Sequence, residues 1–189
     1  MMRLYTALVH HPIQNKNGEM VTTAITNMDI SDISRSCRTF GVKKYFLVSP
    51  AKAQHAMVQR ILGHWESDAG SMYNPDRTDA LRVAQLVDSL ELAAEEVFKI
   101  EGVRPQIVVT GAQFKDEDLK VKELNAALKI DKTPVLLVFG TGWGLHASIV
   151  EAADARLEPI FSKAEDGYNH LSVRSAVAIY LDRLTTEAS

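Results

Sequence analysis

The chain has 189 residues, of which 46% are hydrophobic and 24% are charged, and its net charge is −3. These proportions are typical of a globular protein and exclude a disordered or fibrous one. A length near the usual size of one domain, about 150 residues, predicts a single domain over residues 1–189. The slightly acidic balance argues against a protein covered in positive charge for unselective nucleic-acid binding.

The charges are distributed unevenly along the chain. Residues 1–65 contain eight Lys and Arg against three Asp and Glu, a net charge of +5. Residues 66–189 contain 13 against 21, a net charge of −8. The average therefore hides a basic N-terminal third, which leaves room for a confined basic surface.

The sequence also predicts the compartment. A single cysteine, Cys37, excludes an intramolecular disulfide and any CxxC metal or redox motif. The N-terminus is too polar for a secretion signal, and no window of 18 apolar residues predicts a membrane span. The adjacent His10 and His11 would point to opposite sides of a strand, which does not suit a shared metal. We expect a cytoplasmic protein with no membrane or metal partner.

The first half of the chain begins with strand and helix patterns in alternation. Residues 3–10 and 44–48 are rich in apolar and β-branched side chains and predict two strands. Between them, apolar residues recur every three or four positions and predict a helix. Asn27 or Asp29 would cap the start of this helix, and Gly41 would end it.

Three further elements are predicted before the middle of the chain. Residues 51–64 have a helical period that places Met57 on the buried face. A polar loop over residues 68–77 is the one candidate for a domain seam. A long helix near residues 77–100 follows, ended by Gly102.

The second half continues the alternation. Residues 134–139 are apolar without interruption, which is typical of a strand covered on both faces. The alternation predicts an α/β domain with a mostly parallel sheet and helices on both faces. The other elements predicted here are strands at 106–110 and 157–161 and helices at 118–128, 145–153 and 171–184.

Glycines follow two of these predicted strands. Gly111 comes after one strand, and Gly140, Gly142 and Gly144 come after the next. Ligands of open parallel sheets bind beyond the carboxyl ends of the strands, and closely spaced glycines let the backbone approach a ligand. A plain strand-to-helix turn is equally compatible with this pattern. The sequence lacks the dinucleotide-binding and P-loop fingerprints, so the glycines alone do not identify the ligand.

Three segments in this order resemble the motifs of the SPOUT superfamily, trefoil-knotted RNA methyltransferases that use S-adenosylmethionine. Residues 27–48 are similar to its first motif, in which a helical Arg precedes Phe-Gly and a strand. Residues 134–145 (PVLLVFGTGWGL) are similar to its second motif, and residues 166–184 to its third, a polar turn with Leu-Ser-Val that opens the last helix. The resemblance covers nearly the whole chain. It implies a C-terminal trefoil knot and a homodimer formed through the knot region.

The resemblance also implies a function. This would be S-adenosylmethionine-dependent methyl transfer to tRNA or rRNA, at a ribose 2′-hydroxyl or a base nitrogen. Family members hold the cofactor largely through backbone groups of the second and third motif loops. The positions of this chain that match them are Gly111, Gly140, Thr141, Gly142, Gly144, Ile160, Leu171 and Ser172.

Catalytic positions follow from the same resemblance. Arg35 matches the first-motif arginine, placed to hold an RNA phosphate or to stabilise developing negative charge; otherwise it is a surface residue paired with Asp32. Asn169 and His170 fall in the polar turn of the third motif. His170 is a proton acceptor in one interpretation and only orders the turn in the other. The basic residues expected to contact RNA are Arg38, Lys43, Lys44 and Lys52.

The chain departs from the family's pattern at two places. Many relatives have a glutamate just before the GWGL loop, where this chain passes from Gly140 through Thr141 to Gly142, and an asparagine where this chain has His170. These departures motivate an alternative, a catalytically altered cofactor- or RNA-binding module with the same knotted fold. The acidic net charge motivates a third hypothesis, a nucleotide-binding sensor whose affinity for RNA would hardly respond to salt.

Overall fold

The computed structural model describes residues 2–66, 72 and 74–186. Strands and helices alternate along most of this part of the chain. The strands are β1 (Leu4–Val9), β2 (Ile13–Gln14), β3 (Met20–Val21), β4 (Tyr45–Val48), β5 (Ala84–Val87), β6 (Gln106–Val109), β7 (Val135–Gly140) and β8 (Ala155–Arg156). The helices are α1 (Asn27–Thr39), α2 (Lys52–Glu66), α3 (Pro75–Leu81), α4 (Leu90–Glu101), α5 (Val121–Ile130), α6 (Ala147–Ala152) and α7 (Val173–Thr185).

Six strands form one parallel sheet in the order β5-β4-β1-β7-β6-β8. β1 and β7 lie at its centre and pair along their whole length, from Leu4 with Val135 to Val9 with Gly140. Alternate residues of these strands belong to two hydrophobic clusters, one on each face of the sheet. The predicted α/β fold with a parallel, doubly covered sheet is confirmed. The trefoil knot stays a prediction.

The sheet has two functionally different ends. Because all six strands are parallel, the loops after β1, β6 and β7 lie at one end, which we call the carboxyl end. Residues that precede a strand, such as Lys43 and Lys44 before β4, lie at the opposite, amino end. No helix among the described residues is long and apolar enough to cross a membrane.

The prediction of one long helix near residues 77–100 is wrong, although its predicted end at Gly102 is confirmed. This stretch forms α3, the edge strand β5 and α4, so Val83 and Leu86 border or belong to a strand. The apolar spacing of a short strand followed by a helix imitates a continuous helical period. Ser89 marks the break, since its side chain caps α4 by accepting from the amide of Leu92. Of the predicted loop over 68–77, residues 68–71 and 73 lie outside the described residues.

The start of α1 also differs from the expected one. Thr26 is the N-cap, not Asn27 or Asp29. The hydroxyl of Thr26 accepts from the amide of Asp29, and the Asp29 carboxylate accepts from the amide of Thr26, which forms a capping box. The predicted end is confirmed, since Gly41 follows the last turn with a φ of +72°.

Three smaller features were not predicted correctly. In α2, Val58 is fully buried and Met57 is exposed. The strand expected at residues 157–161 is the two-residue β8 instead. The antiparallel hairpin of β2 and β3 was missed because strands of two residues have no readable period. The other predicted elements are present, with their ends shifted by a few residues.

The amino end of the sheet holds a buried carboxylate. The Glu101 side chain is 6% exposed, accepts from Lys43 and from the Tyr5 hydroxyl, both at 2.6 Å, and lies 3.3 Å from Arg3. Burial opposes the ionisation of this carboxyl. The hydrogen bonds from Lys43 and Tyr5 outweigh burial and hold the pKa of Glu101 below its ordinary value.

We expect Glu101→Gln to lower the free energy of unfolding by about 2 kcal/mol at pH 7, because two cations lose their counter-charge. A carboxyl with a lowered pKa in the folded state contributes stability above its unfolded pKa and loses it as the pH falls through the folded pKa. The difference from wild type should therefore shrink in acid. Urea unfolding at pH 7 and pH 3 measures it, with the exposed Glu91→Gln of the same helix as control. An equal loss at both pH values would contradict the ionic explanation.

Candidate functional site

A pocket of about 1100 Å³ opens at the carboxyl end of the sheet. Its walls come from the connection between β1 and α1, the loops after β6 and β7, and the segment that precedes α7. The structure brings together in this pocket all eight positions matched to the cofactor loops of the family. They are Gly111, Gly140, Thr141, Gly142, Gly144, Ile160, Leu171 and Ser172.

The loop after β7, residues 140–144, needs glycine at three positions; we call it the glycine loop. Gly142 and Gly144 have φ angles of +58° and +109°, which L side chains rarely adopt. A Cβ on Gly140 would lie 2.6 Å from the backbone nitrogen of Leu145. The strand therefore turns back on itself so tightly that no side chain fits at its last residue.

The loop after β6 forms a second wall. The ring of Phe114 packs over Gly111, where an added Cβ would lie 2.8 Å from two ring carbons. Phe114 is half-buried and lines the pocket. Glycine at position 111 thus lets this aromatic ring close one side of the pocket.

The segment before α7 forms the third wall. The Ser172 hydroxyl caps α7 by accepting from the amide of Ser175 at 3.2 Å. The Asn169 side chain donates to the carbonyl of Ile160 at 3.1 Å, so its amide nitrogen holds the loop closed. His170 is exposed beside Asn169, and its ring meets the ring of Tyr168 edge-on at 5.3 Å between centroids.

A partly buried ion pair joins the first and third motifs at the rim of the pocket. Asp29 is 5% exposed and lines the pocket, and its carboxylate lies 3.3 Å from Arg174 of α7. Arg174 also lies 3.6 Å from Asp32. The sequence patterns did not predict this pair. The signal was a cation in the first turn of a helix, which the helix dipole disfavours unless an acidic partner is near.

Arg35, predicted to be catalytic, lies outside this pocket. It is exposed on α1, and its side chain does not line the pocket walls. The alternative pairing with Asp32 is not observed, because Asp32 contacts Arg174. No ion pair involves Arg35 within the described ranges, which leaves its guanidinium open to solvent.

The four basic residues expected to contact RNA are dispersed. Lys43 and Lys44 lie at the amino end of the sheet, far from the pocket, whereas Lys52 follows β4 at the carboxyl end. Each of the four donates a hydrogen bond to a side chain of the same chain. RNA contact stays a prediction for all of them. In the order Arg38, Lys43, Lys44 and Lys52, the partners are Asp79, Glu101, Gln85 and Asp88.

Two titratable residues near β1, His10 and Cys37, are buried in the fold. Burial lowers the pKa of His10 to about 4, and its Nδ1 lies 3.1 Å from the hydroxyl of Thr23. Burial raises the pKa of the Cys37 thiol to about 12, so this cysteine is a poor nucleophile. No group of three or more His, Cys, Asp or Glu side chains in the described part of the chain is arranged to hold a metal ion.

Comparisons with known proteins show which family the chain belongs to. Residues 3–186 match the sequence model of a family described as SAM-dependent RNA methyltransferase. A tRNA (guanine-N(1)-)-methyltransferase of Oleidesulfovibrio alaskensis is 40% identical over 185 residues, which are 98% of this chain and 42% of that protein. An uncharacterized protein of Aquifex aeolicus is 36% identical over 96% of this chain and 87% of its own length. The chain spans about two fifths of the length of the tRNA methyltransferases that it matches.

Solved structures share the fold. The A. aeolicus TrmH/SpoU tRNA modifying enzyme has a TM-score of 0.56 at 19% identity, covering 98% of this chain and 75% of that one. The SpoU methyltransferase AviRb of Streptomyces viridochromogenes, in complex with AdoMet, has a TM-score of 0.55 at 17% identity over 98% of this chain and 58% of that one. At these identities the likeness concerns the fold alone. The family match covers nearly the whole chain, and it shows that the protein belongs to the SAM-dependent RNA methyltransferases.

Proposed function

We propose that the chain binds S-adenosylmethionine in the carboxyl-end pocket and transfers its methyl group to tRNA in the cytoplasm. The observation that carries this proposal is the convergence of all eight matched cofactor positions on one pocket. Membership of the family supports the reaction, and the two relatives named tRNA methyltransferases support the substrate class.

The pocket suits a cofactor held by backbone groups. Gly140 and Gly111 let the backbone of Leu145 and the ring of Phe114 pack closely against them, where a Cβ would collide with these groups. The amides of Gly142 and Leu171 donate to no acceptor among the described residues, so they are free to donate to a ligand. Leu145 supplies apolar surface to the same pocket for a flat ring such as adenine. When bound, S-adenosylmethionine supplies a methyl group already activated by its sulfonium.

The protein then has to align the acceptor and remove its proton. We assign proton acceptance to His170, because its exposed imidazole lies on the pocket wall. Asn169 acts as a positioning residue, since its amide is bonded to Ile160. Arg35 lies on α1 outside the pocket of its own chain. On the first-motif resemblance, we assign its positive charge to an RNA phosphate or to the acceptor oxygen or nitrogen as negative charge develops there.

The proposal names a class of acceptor and no single atom. The relatives called tRNA (guanine-N(1)-)-methyltransferase match this chain over 42% and 41% of their length, and their name describes the whole proteins. We therefore do not assign guanine N1 as the acceptor atom of this protein. The acceptor that we propose is a ribose 2′-hydroxyl or a base nitrogen of tRNA.

We further propose that the chain works as a homodimer formed through the region of the pocket. Large apolar side chains are exposed around the pocket and would be covered by a second copy. Their exposed fractions are 59% for Trp143, 59% for Phe161, 65% for Tyr168 and 48% for Leu171. Light scattering of the purified protein should give twice the monomer mass, and a monomer at micromolar concentration would refute the dimer.

Calorimetry with S-adenosylmethionine, followed by methyl transfer to unmodified tRNA and mass spectrometry of its nucleosides, tests the function. We expect binding and one methylated nucleoside. No binding at millimolar cofactor would refute the proposal. Binding without transfer to tRNA or rRNA would favour the catalytically altered module. An RNA affinity that hardly responds to salt would favour the nucleotide-binding sensor.

A further inference from the structure

We propose that the β2–β3 hairpin is the positioning element of the glycine loop and that Gln14 is its principal contact. The hairpin was not foreseen from the sequence, and the family motifs do not include it. What the loop binds rests on the proposed function. The positioning itself rests on contacts within the chain.

The hairpin holds the backbone of the glycine loop directly. The amide of Gln14 donates to the carbonyl of Gly144 at 3.0 Å, and the Gln14 side chain donates to the carbonyl of Trp143 at 3.1 Å. The neighbouring Ile13 forms an antiparallel bridge with Leu145, directly after the loop. One short strand thus fixes three consecutive residues of the chain that turns over the pocket.

Thr23, just after the hairpin, secures the other side of the loop. Its hydroxyl forms a hydrogen bond with the hydroxyl of Thr141. The Thr141 hydroxyl also donates to the carbonyl of Val9 at 3.1 Å. The side chain of Thr141 is therefore committed to holding the loop against β1.

The loop requires this external support because of its composition. Glycine loses more conformational freedom on ordering than any other residue, and the loop contains three glycines, two of them left-handed. Atoms of the hairpin lie beside Gly142 and Gly144, in the direction that a side chain would take. Methyl carbons of Ile13 and Thr23 lie 3.4 Å from the position of a Cβ on Gly142. Gln14 and Thr23 also line the pocket, so these contacts hold the loop at the pocket wall itself.

The test compares variants of Gln14 in the whole protein. Gln14→Met keeps the length of the side chain and removes its donor, and Gln14→Glu places a carboxylate against the carbonyl of Trp143. We expect the Kd for S-adenosylmethionine to rise about fivefold with methionine and further with glutamate, since one exposed hydrogen bond is lost and then replaced by repulsion. The KM for the cofactor should rise in parallel, while kcat at saturating cofactor and Tm stay close to wild type.

Hydrogen exchange in the absence of cofactor supplies a second readout, which does not depend on the proposed function. Amides of residues 140–145 should exchange faster in both Gln14 variants. Lys16→Ala, exposed at the tip of the hairpin, is the matched control and should change neither readout. Unchanged exchange in both Gln14 variants would overturn the positioning role. A fall in Tm with equal changes in KM and kcat would also overturn it, as a general loss of stability. Faster exchange in a protein that does not bind the cofactor would keep the positioning and refute the proposed function.

Discussion

Gly140→Ala is expected to raise the Kd for S-adenosylmethionine by about 100-fold or more while the sheet stays folded. The added Cβ would lie 2.6 Å from the nitrogen of Leu145 and 2.9 Å from the carbonyl carbon of Gly144. Both are backbone atoms, so no side-chain rotation relieves the clash and the loop itself must move. A misplacement of about 1 Å can cost about 100-fold in catalytic rate. We expect a comparable loss of affinity here, because the displaced loop forms part of the cofactor pocket.

Calorimetry measures the affinity, and thermal unfolding reports whether the fold survives. Gly63→Ala is the matched control, because nothing lies within 4 Å of its Cβ on α2. Alanine in a helix should stabilise the protein by about 0.5–1 kcal/mol and leave the Kd unchanged. If Gly140→Ala unfolds the protein, Gly142→Val strains the same loop at a φ of +58° without altering β7. If the glycine variants fold and bind S-adenosylmethionine with wild-type affinity, the cofactor does not bind at this loop.

The predictability of the fold depended on burial. β1, β4 and β7 are fully or almost fully buried on both faces, so their apolar runs are unambiguous in the sequence. β5 lies at the edge of the sheet, and three of its four residues are only half-buried. The spacing of its apolar residues continues the helical period of α4. The sequence pattern therefore predicted one helix where the structure has two elements.

The predictability of the site depended on sequence separation. The loops that line the pocket were found because each is a local motif after a strand or before a helix. The contacts that fix those loops join distant residues: 145 positions separate Asp29 from Arg174, and 129 separate Gln14 from Trp143. Local periodicity carries no information on such pairs, so they became visible only with the fold.

Arg35→Ala should separate methyl transfer from cofactor binding. Arg35 is exposed on α1 and does not line the pocket, so its loss should leave the Kd for S-adenosylmethionine within about twofold of wild type. Transfer to tRNA should fall by about 100-fold or more, the usual effect of removing a group that stabilises charge in the transition state. Arg104→Ala, exposed at the amino end of the sheet, is the matched control and should change neither quantity.

The dependence of the Arg35 defect on tRNA concentration distinguishes its two proposed roles. If Arg35 holds a phosphate, the KM for tRNA rises, kcat recovers at saturation, and the salt slope of RNA binding falls by about one. If it stabilises charge on the acceptor, kcat stays low at saturating tRNA and the salt slope is unchanged. A loss of cofactor affinity in Arg35→Ala would show that Arg35 takes part in cofactor binding. Wild-type transfer would make it an ordinary surface arginine, leaving His170 and the pocket loops to account for the chemistry.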